Sequence, residues 1–458
     1  MNEADGLPPA ERRRAMATLS IAICISVLAT AIANIALPAI AQDLGVSPAL
    51  SIWVVNAYQL AVTVSLLPLS SLGDIYGYRR VYLCGLVVFC VGSLACGLAG
   101  TLPLLVAGRV LQGFGAAGIM SVNTALVRYI YPRSQLGRGI GMTALIVATS
   151  SAAGPSLAAA ILAVAPWQYL FIFNVPLGLL ALVLALRALP ATPRAGHTFD
   201  LASALLNAAS FGLMFIGIDG FGHGRGGALS LAELAVGIGV GWVFVRRQLS
   251  LTAPMLPVDL FRLPVFALSV VTSVCSYACQ TLAYLSLPFY FQYVGGQSQV
   301  ETGLLMTPWP AVVIIIAPIA GRLSDRYPAG LLGGCGLAVL TVGMLLLTGI
   351  QADAPWTDVA WRMLVCGIGF GFFQSPNNRA LIGSAPRERS GAGSGMLSTA
   401  RLTGQTIGGL IVAVLLALTG GGIEGVARGA QWSLMIGAGF AGVAMVMSFL
   451  RLRGVQAA

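Results

Sequence analysis

Apolar blocks of roughly 20 residues follow one another along the whole chain, separated by short connectors, and this pattern restricts the fold severely. A helix rises about 1.5 Å per residue, so each block matches a hydrocarbon layer of about 30 Å. Lipid offers the backbone no hydrogen-bond partner, so a spanning segment must be a helix or part of a closed barrel. Barrel strands alternate apolar and polar residues, whereas these blocks are uninterrupted. Charged residues make up 9% of the 458 and hydrophobic ones 57%. Soluble domains carry about 25% charged residues, so no soluble core of this length fits. The sequence predicts an all-α membrane protein and excludes a soluble enzyme.

About 14 spans are expected, near 16–40, 51–71, 81–99, 102–126, 139–163, 168–189, 201–221, 229–245, 264–290, 302–321, 331–350, 358–378, 393–418 and 431–450. The net charge of +10 comes from arginine alone, since the chain has no lysine. Most arginines sit in alternate connectors: Arg79 and Arg80, Arg128 and Arg133, Arg187 and Arg194, Arg246 and Arg247, Arg326, Arg387 and Arg389, Arg451 and Arg453. The other connectors hold Asp43, Asp353, Asp358 and Glu424, with Arg225 and Arg428. Positive residues favour the cytoplasmic side, so both termini are expected there. The basic charge thus reports topology and not a nucleic-acid partner; the expected partner outside the protein is membrane lipid. Trp53, Trp167, Trp356, Trp361 and Trp432 fall at the expected outer ends, as an interfacial belt would. The eight cysteines all lie in apolar blocks without CxxC spacing and read as small hydrophobes, so no metal or cofactor is expected. His197 and His223 fall in connectors and read as surface residues.

The chain also repeats. Leu72-Gly73-Asp74-Ile75-Tyr76-Gly77-Tyr78-Arg79-Arg80 follows the second span, and Gly321-Arg322-Leu323-Ser324-Asp325-Arg326-Tyr327 follows the tenth. Two related six-helix bundles, 1–190 and 262–458, joined by a linker with two extra spans, 191–261, are the simplest account. Such repeats commonly place the substrate site at their interface near the midplane.

Asp74-x-x-Gly77-x-Arg79-Arg80 resembles the signature loop of the major facilitator superfamily. Arg109-x-x-Gln112-Gly113 resembles its fourth-span motif, and Gly154-Pro155 the core of its antiporter motif. Trp167-x-x-x-Phe171-x-x-Asn174-x-Pro176-x-Gly178 and Asn34-Ile35-Ala36-Leu37-Pro38 are similar to the fourteen-span drug:proton antiporters. The resemblance implies the major facilitator fold, a bacterial inner-membrane location, a monomer, and proton-coupled efflux of small organic molecules. It implies that Asp74, Gly77, Arg79 and Arg80, with Asp325 and Arg326 in the second turn, latch one conformation of the carrier. The plain alternative is a cytoplasmic turn in which Gly77 allows the chain to reverse and the arginines set topology. Likewise Gly141, Gly154 and Pro155 make either an antiport helix or simply a close helix contact. Asp200 reads as the N-cap of the seventh span.

Polar residues inside spans need a reason to be there. Tyr277, Gln280 and Tyr284 share one helical face, as do Asn56 and Gln59, and Arg401 and Gln405 stand one turn apart. With Asn34, Arg109, Gln112, Asn123, Trp309, Phe373, Gln374 and Asn377 they form the candidate substrate-binding set. Interhelical hydrogen bonding and core packing are the competing explanation. The family's first-span carboxylate is missing: Leu28 is followed by Ala29, Thr30 and Ala31. Among carboxylates, Asp74, Asp219 and Glu301 are available for protons, and none lies mid-span. Arg109 and Arg401 do lie within spans, where arginine is costly unless it faces a cavity or a partner. Two guanidiniums without a central carboxylate point to neutral or anionic cargo. A facilitator or importer of a specific metabolite in the same fold is the alternative function.

Overall fold

The computed structural model describes residues 6–132, 135–192, 198–222, 227–251, 255–384, 390–420 and 422–455. Arg133, Arg194, His197, His223, Arg225, Arg387 and Arg389 lie outside the described residues. The described chain is helical: α1 (Pro9–Asp43), α2 (Pro48–Tyr76), α3 (Tyr78–Gly97), α4 (Leu102–Ile130), α5 (Leu136–Leu162), α6 (Tyr169–Ala188) and α7 (Leu201–Gly222) come first. They are followed by α8 (Gly227–Ser250), α9 (Pro264–Val294), α10 (Gln299–Leu323), α11 (Ala329–Leu347), α12 (Trp356–Ser384), α13 (Ser390–Leu418) and α14 (Ile423–Val455). Thirteen of these are long and apolar enough to cross a membrane. The remaining one, α12, is 29 residues long but carries Asp358 and Arg362 at one end and Gln374 to Arg379 at the other. Several helices overrun their expected spans, α1 and α14 most of all, because polar turns extend the helix beyond the apolar block.

Local chemistry sets the helix ends. Ser298 accepts from the Glu301 backbone, and the Glu301 carboxylate accepts from the Ser298 backbone, a reciprocal cap that starts α10. Asp200 accepts from the Ser203 amide at 3.1 Å and so caps α7 as expected. Burial opposes the charge on Asp200, yet the hydrogen bonds from Arg247 and Ser203 outweigh it and hold the carboxyl down at about 2. Between α2 and α3, Gly77 turns the chain at φ 94°, a left-handed value that favours glycine.

The helix contacts recur with a shift of eight helices. Helix α3 packs on α4 as α11 packs on α12, α2 on α4 as α10 on α12, and α1 on α5 and α6 as α9 on α13 and α14. Gly85 and Gly118 bring α3 and α4 together so closely that a Cβ on either would lie 3.0 Å or less from the other's backbone. The same contact is repeated 251 residues along, from Gly85 to Gly336 and from Gly118 to Gly369. Helices α7 and α8 pack on each other, and α7 reaches both α2 and α13. Asn207 of α7 donates to the Val64 carbonyl of α2 at 2.8 Å.

The first six helices meet the last six mainly toward the end that carries Asp43 and Gln299. There Gln292 donates to the Ile35 carbonyl at 3.3 Å, and the Ser156 and Thr307 hydroxyls lie 2.9 Å apart. Gly303 of α10 rests on Pro155 and Ala159 of α5, and Gly409 of α13 rests on Asn56 of α2. These two contacts, α5 with α10 and α13 with α2, are themselves related by the eight-helix shift. Trp356, Trp361 and Trp432 are exposed on the outside of the bundle. Trp167 departs from the expected belt: it is buried and donates to the Asp43 carboxylate at 2.8 Å.

Candidate functional site

A central cavity lies where the two sets of helices face each other. Helix α1 contributes Thr30 and Asn34, α2 Tyr58 and Gln59, and α9 Tyr277, Gln280 and Tyr284. Helix α12 contributes Phe370 and Gln374, and α13 Arg401 and Gln405. The face predicted from the spacing of Tyr277, Gln280 and Tyr284 therefore does line the space. A second chamber shares Tyr277, Gln374 and Arg401 with the first and extends along Asn123, Asn378 and Ile382 toward the Asp74 end.

Other candidates stand behind the wall. Arg109 is fully buried and does not line the cavity. Its Nε donates to the Val54 carbonyl at 2.7 Å, and its Nη1 donates to Ala29 O at 3.2 Å and Gln112 Oε1 at 2.6 Å. Gln112 in turn donates to Ser93 Oγ at 2.7 Å. The guanidinium lies 4.2 Å from the centroid of the Tyr58 ring, whose hydroxyl donates to Ser26 O at 2.8 Å. Arg109 thus supports the cavity wall from behind. Asn377 donates to Ser273 Oγ at 2.7 Å and accepts from Arg451 at 2.8 Å, a buried network near the ends of α9, α12 and α14. Trp309 packs edge-on against Tyr284 at 5.3 Å, Phe373 against Phe370 at 5.7 Å, and Asn56 against Gly409.

Arg401 differs from Arg109. It is half-buried at the junction of the two spaces and, among the described residues, makes no hydrogen bond or ion pair. Among the described lining residues of the cavity, none is Asp or Glu. Tyr58 and Phe370 are lining residues that the sequence reading missed. Phe370 lies four residues before Gln374, on the same helical face, and that spacing was a usable signal.

The turn after α2 is tied to its own set of helices. The Tyr78 hydroxyl donates to Asp74, the Tyr78 amide donates to Thr192 Oγ1 at 2.9 Å, and Arg79 donates to Leu186 O at 2.5 Å. In the turn after α10, Asp325 pairs with Arg379 of α12, which also donates to Ser324 Oγ at 3.1 Å. Arg80 and Arg326 are exposed. In α5, Gly154 lies against α1, where a Cβ would come within 2.3 Å of the Ala31 side chain.

Two repeated sets of helices around a central polar cavity, with an added pair between them in the chain, define a multi-pass membrane transporter. The family model of the Major Facilitator Superfamily matches residues 19–409, and the chain belongs to that family. It is 54% identical, over 98% of each chain, to the Uncharacterized transporter YebQ of Escherichia coli (strain K12). It is 30% identical to the Riboflavin transporter RibZ of Clostridioides difficile (strain 630), over 84% of this chain and 83% of that one. The Tetracenomycin C resistance and export protein of Streptomyces glaucescens is 31% identical over 87% of this chain and 75% of its own. Among solved structures, a bacterial homolog of the human lysosomal transporter Spinster, in an inward-facing and unoccupied conformation, shares the fold with a TM-score of 0.69. It is 15% identical and covers 98% of each chain.

Proposed function

We propose that the protein is a secondary active exporter of small organic molecules that works by alternating access, driven by proton antiport. The observation that carries this reading is the central cavity, closed toward Asp43 and joined to a chamber toward the Asp74 end. The arginine distribution supports an orientation with the Asp74 end and both termini in the cytoplasm of a bacterial cell. In that orientation the conformation described here loads cargo from the cytoplasm. Residues 1–190 and 262–458 then act as the two rocking bundles of a monomer, and 191–261 as a linker pair. The Asp74 and Asp325 turns are the latch that engages when the cytoplasmic end closes. Export is supported by the Gly154-Pro155 motif and by a relative named as an export protein.

Proton coupling rests on the family resemblance, since the cavity lining contains no Asp or Glu among the described residues. That same observation favours the second reading, a facilitator or importer of one metabolite. Inside-out vesicles separate the two. A panel of small organic molecules, riboflavin and tetracenomycin C among them, is offered with and without an acidic lumen. Uptake that needs the pH gradient is expected; uptake that only equilibrates and ignores the gradient establishes the facilitator.

A further inference from the structure

We propose that the central cavity is built for an organic anion with a planar aromatic body, its charge held by Arg401. The proposal rests on the transport reading and adds the class of cargo to it.

The charge argument comes first. Arg401 sits where the central cavity and the chamber meet, with no hydrogen bond or ion pair among the described residues. An arginine held at membrane depth normally faces a partner or a water-filled space. Arg109 shows the first solution in this chain, with carbonyls, Gln112 and the Tyr58 ring around it. Arg401 shows the second. The described cavity lining has no Asp or Glu to offset it, and the chain has no lysine to share the role. A space with one fixed positive charge and low-dielectric walls concentrates anions and repels cations.

The second observation is independent of charge. Two buried amide oxygens on residues of the same lining lack hydrogen-bond partners among the described residues. Asn34 Oδ1 and Gln59 Oε1 have none, although these residues are only 7% and 2% exposed and both line the cavity. The Tyr284 hydroxyl, beside Gln280, lines the same cavity. Buried polar groups are normally satisfied, so the two amide oxygens suit a ligand that donates hydrogen bonds to them. The amides and the phenol suit a molecule that carries N–H, O–H or carbonyl groups on its body. In the same lining, Tyr277 and Phe370 stand edge to face at 5.5 Å, and Tyr277 is fixed by a 3.1 Å hydrogen bond from Gln374. A flat ring fits a wall of this kind, because offset and edge-on aromatic contacts are the favoured ones. A carboxylate or sulfonate, a planar body and polar substituents match the three kinds of group in the lining.

The test uses two dyes with the same xanthene body and opposite charge, fluorescein and rhodamine 6G. Binding to the purified full chain is measured by fluorescence anisotropy, and vesicle flux is followed in parallel. Wild type is expected to bind fluorescein at least about tenfold more tightly than rhodamine 6G. Arg401→Gln should lose that preference, Arg401→Lys should keep most of it, and both variants should keep the wild-type unfolding temperature. Preference for rhodamine 6G, absence of fluorescein binding, or a fluorescein affinity indifferent to Arg401→Gln overturns the proposal. If cations are carried across vesicles, the cargo class is wrong and the transport reading stands. If fluorescein binds through Arg401 but no tested compound moves, the cargo class stands and the transport reading fails.

Discussion

Arg109 and Arg401 are the same residue type, each inside an apolar span, yet their surroundings give them different work. An arginine at a helix centre in lipid costs about 2.5–3.5 kcal/mol. Around Arg109 this is offset by two carbonyls, the Gln112 oxygen and the face of Tyr58. Replacing Arg109 with Leu strands Gln112 Oε1 in a buried site and removes the support beneath Tyr58. Each buried polar group left unpaired costs about 1–3 kcal/mol. Arg109→Leu is therefore expected to lower the unfolding temperature by an amount equivalent to at least about 2 kcal/mol, while Arg401→Gln leaves it unchanged. Thermal unfolding of the two purified variants decides this; equal losses would mean that Arg401 is also structural. Apart from the motif around Arg109, nothing in the sequence separates the two arginines, since each is a lone cation in an apolar block. With 3.6 residues per turn, a step of one position rotates a side chain by about 100°. That rotation decides whether a residue reaches the cavity or the wall behind it. It explains why Phe370 lines the space while Phe373 backs it, and why Asn377 joins a buried network instead of the lining. The identity of the polar set was legible in the sequence, and its orientation only in part.

At the scale of the element, small residues set how closely helices approach, and the sequence shows their presence better than their pairing. The two Leu-x-Asp turns reveal the repeat, but the pairs Gly85 with Gly118 and Gly336 with Gly369 emerge only once the contacts are known. Helix α5 makes the point with two glycines in one helix. A methyl on Gly154 would lie 2.3 Å from the Ala31 side chain, whereas one on Gly141 meets nothing within 4 Å. Gly154→Ala must therefore push α5 away from α1, and overpacking of this kind costs about 1–3 kcal/mol. Transport is expected to fall several-fold in Gly154→Ala, with a lower unfolding temperature, and to stay near wild type in Gly141→Ala. Should Gly154→Ala behave like Gly141→Ala in both measurements, the contact is looser than the geometry indicates. Pro155 adds a missing N–H to the same turn, so α5 can bend there at little cost.

For the whole molecule, the contacts between the two sets of helices are concentrated at one end, and this makes the conformation testable. Gly303 is a sensitive point: a Cβ there would meet the Ala159 side chain at 2.7 Å and the Pro155 carbonyl at 2.9 Å. The backbone carbonyl cannot move aside without moving α5. Gly303→Val therefore opposes closure at the Asp43 end and favours whichever state separates α10 from α5 there. A shift from mostly one state to mostly the other requires several kcal/mol, about 5.5 for a change from 1:99 to 99:1, so a single steric clash is expected to redistribute the population without locking it. Spin labels at Tyr76 and Tyr327, both exposed near the open end, report the change in a cysteine-free background. Their distance distribution should gain a shorter component in Gly303→Val. Asp74→Asn in the same protein should reduce that component, because the closed end is the state in which the latch is proposed to act. An unchanged distribution in Gly303→Val would show that the Asp43-end contact does not govern opening at the other end, and rigid-body alternation between the two bundles would have to be given up.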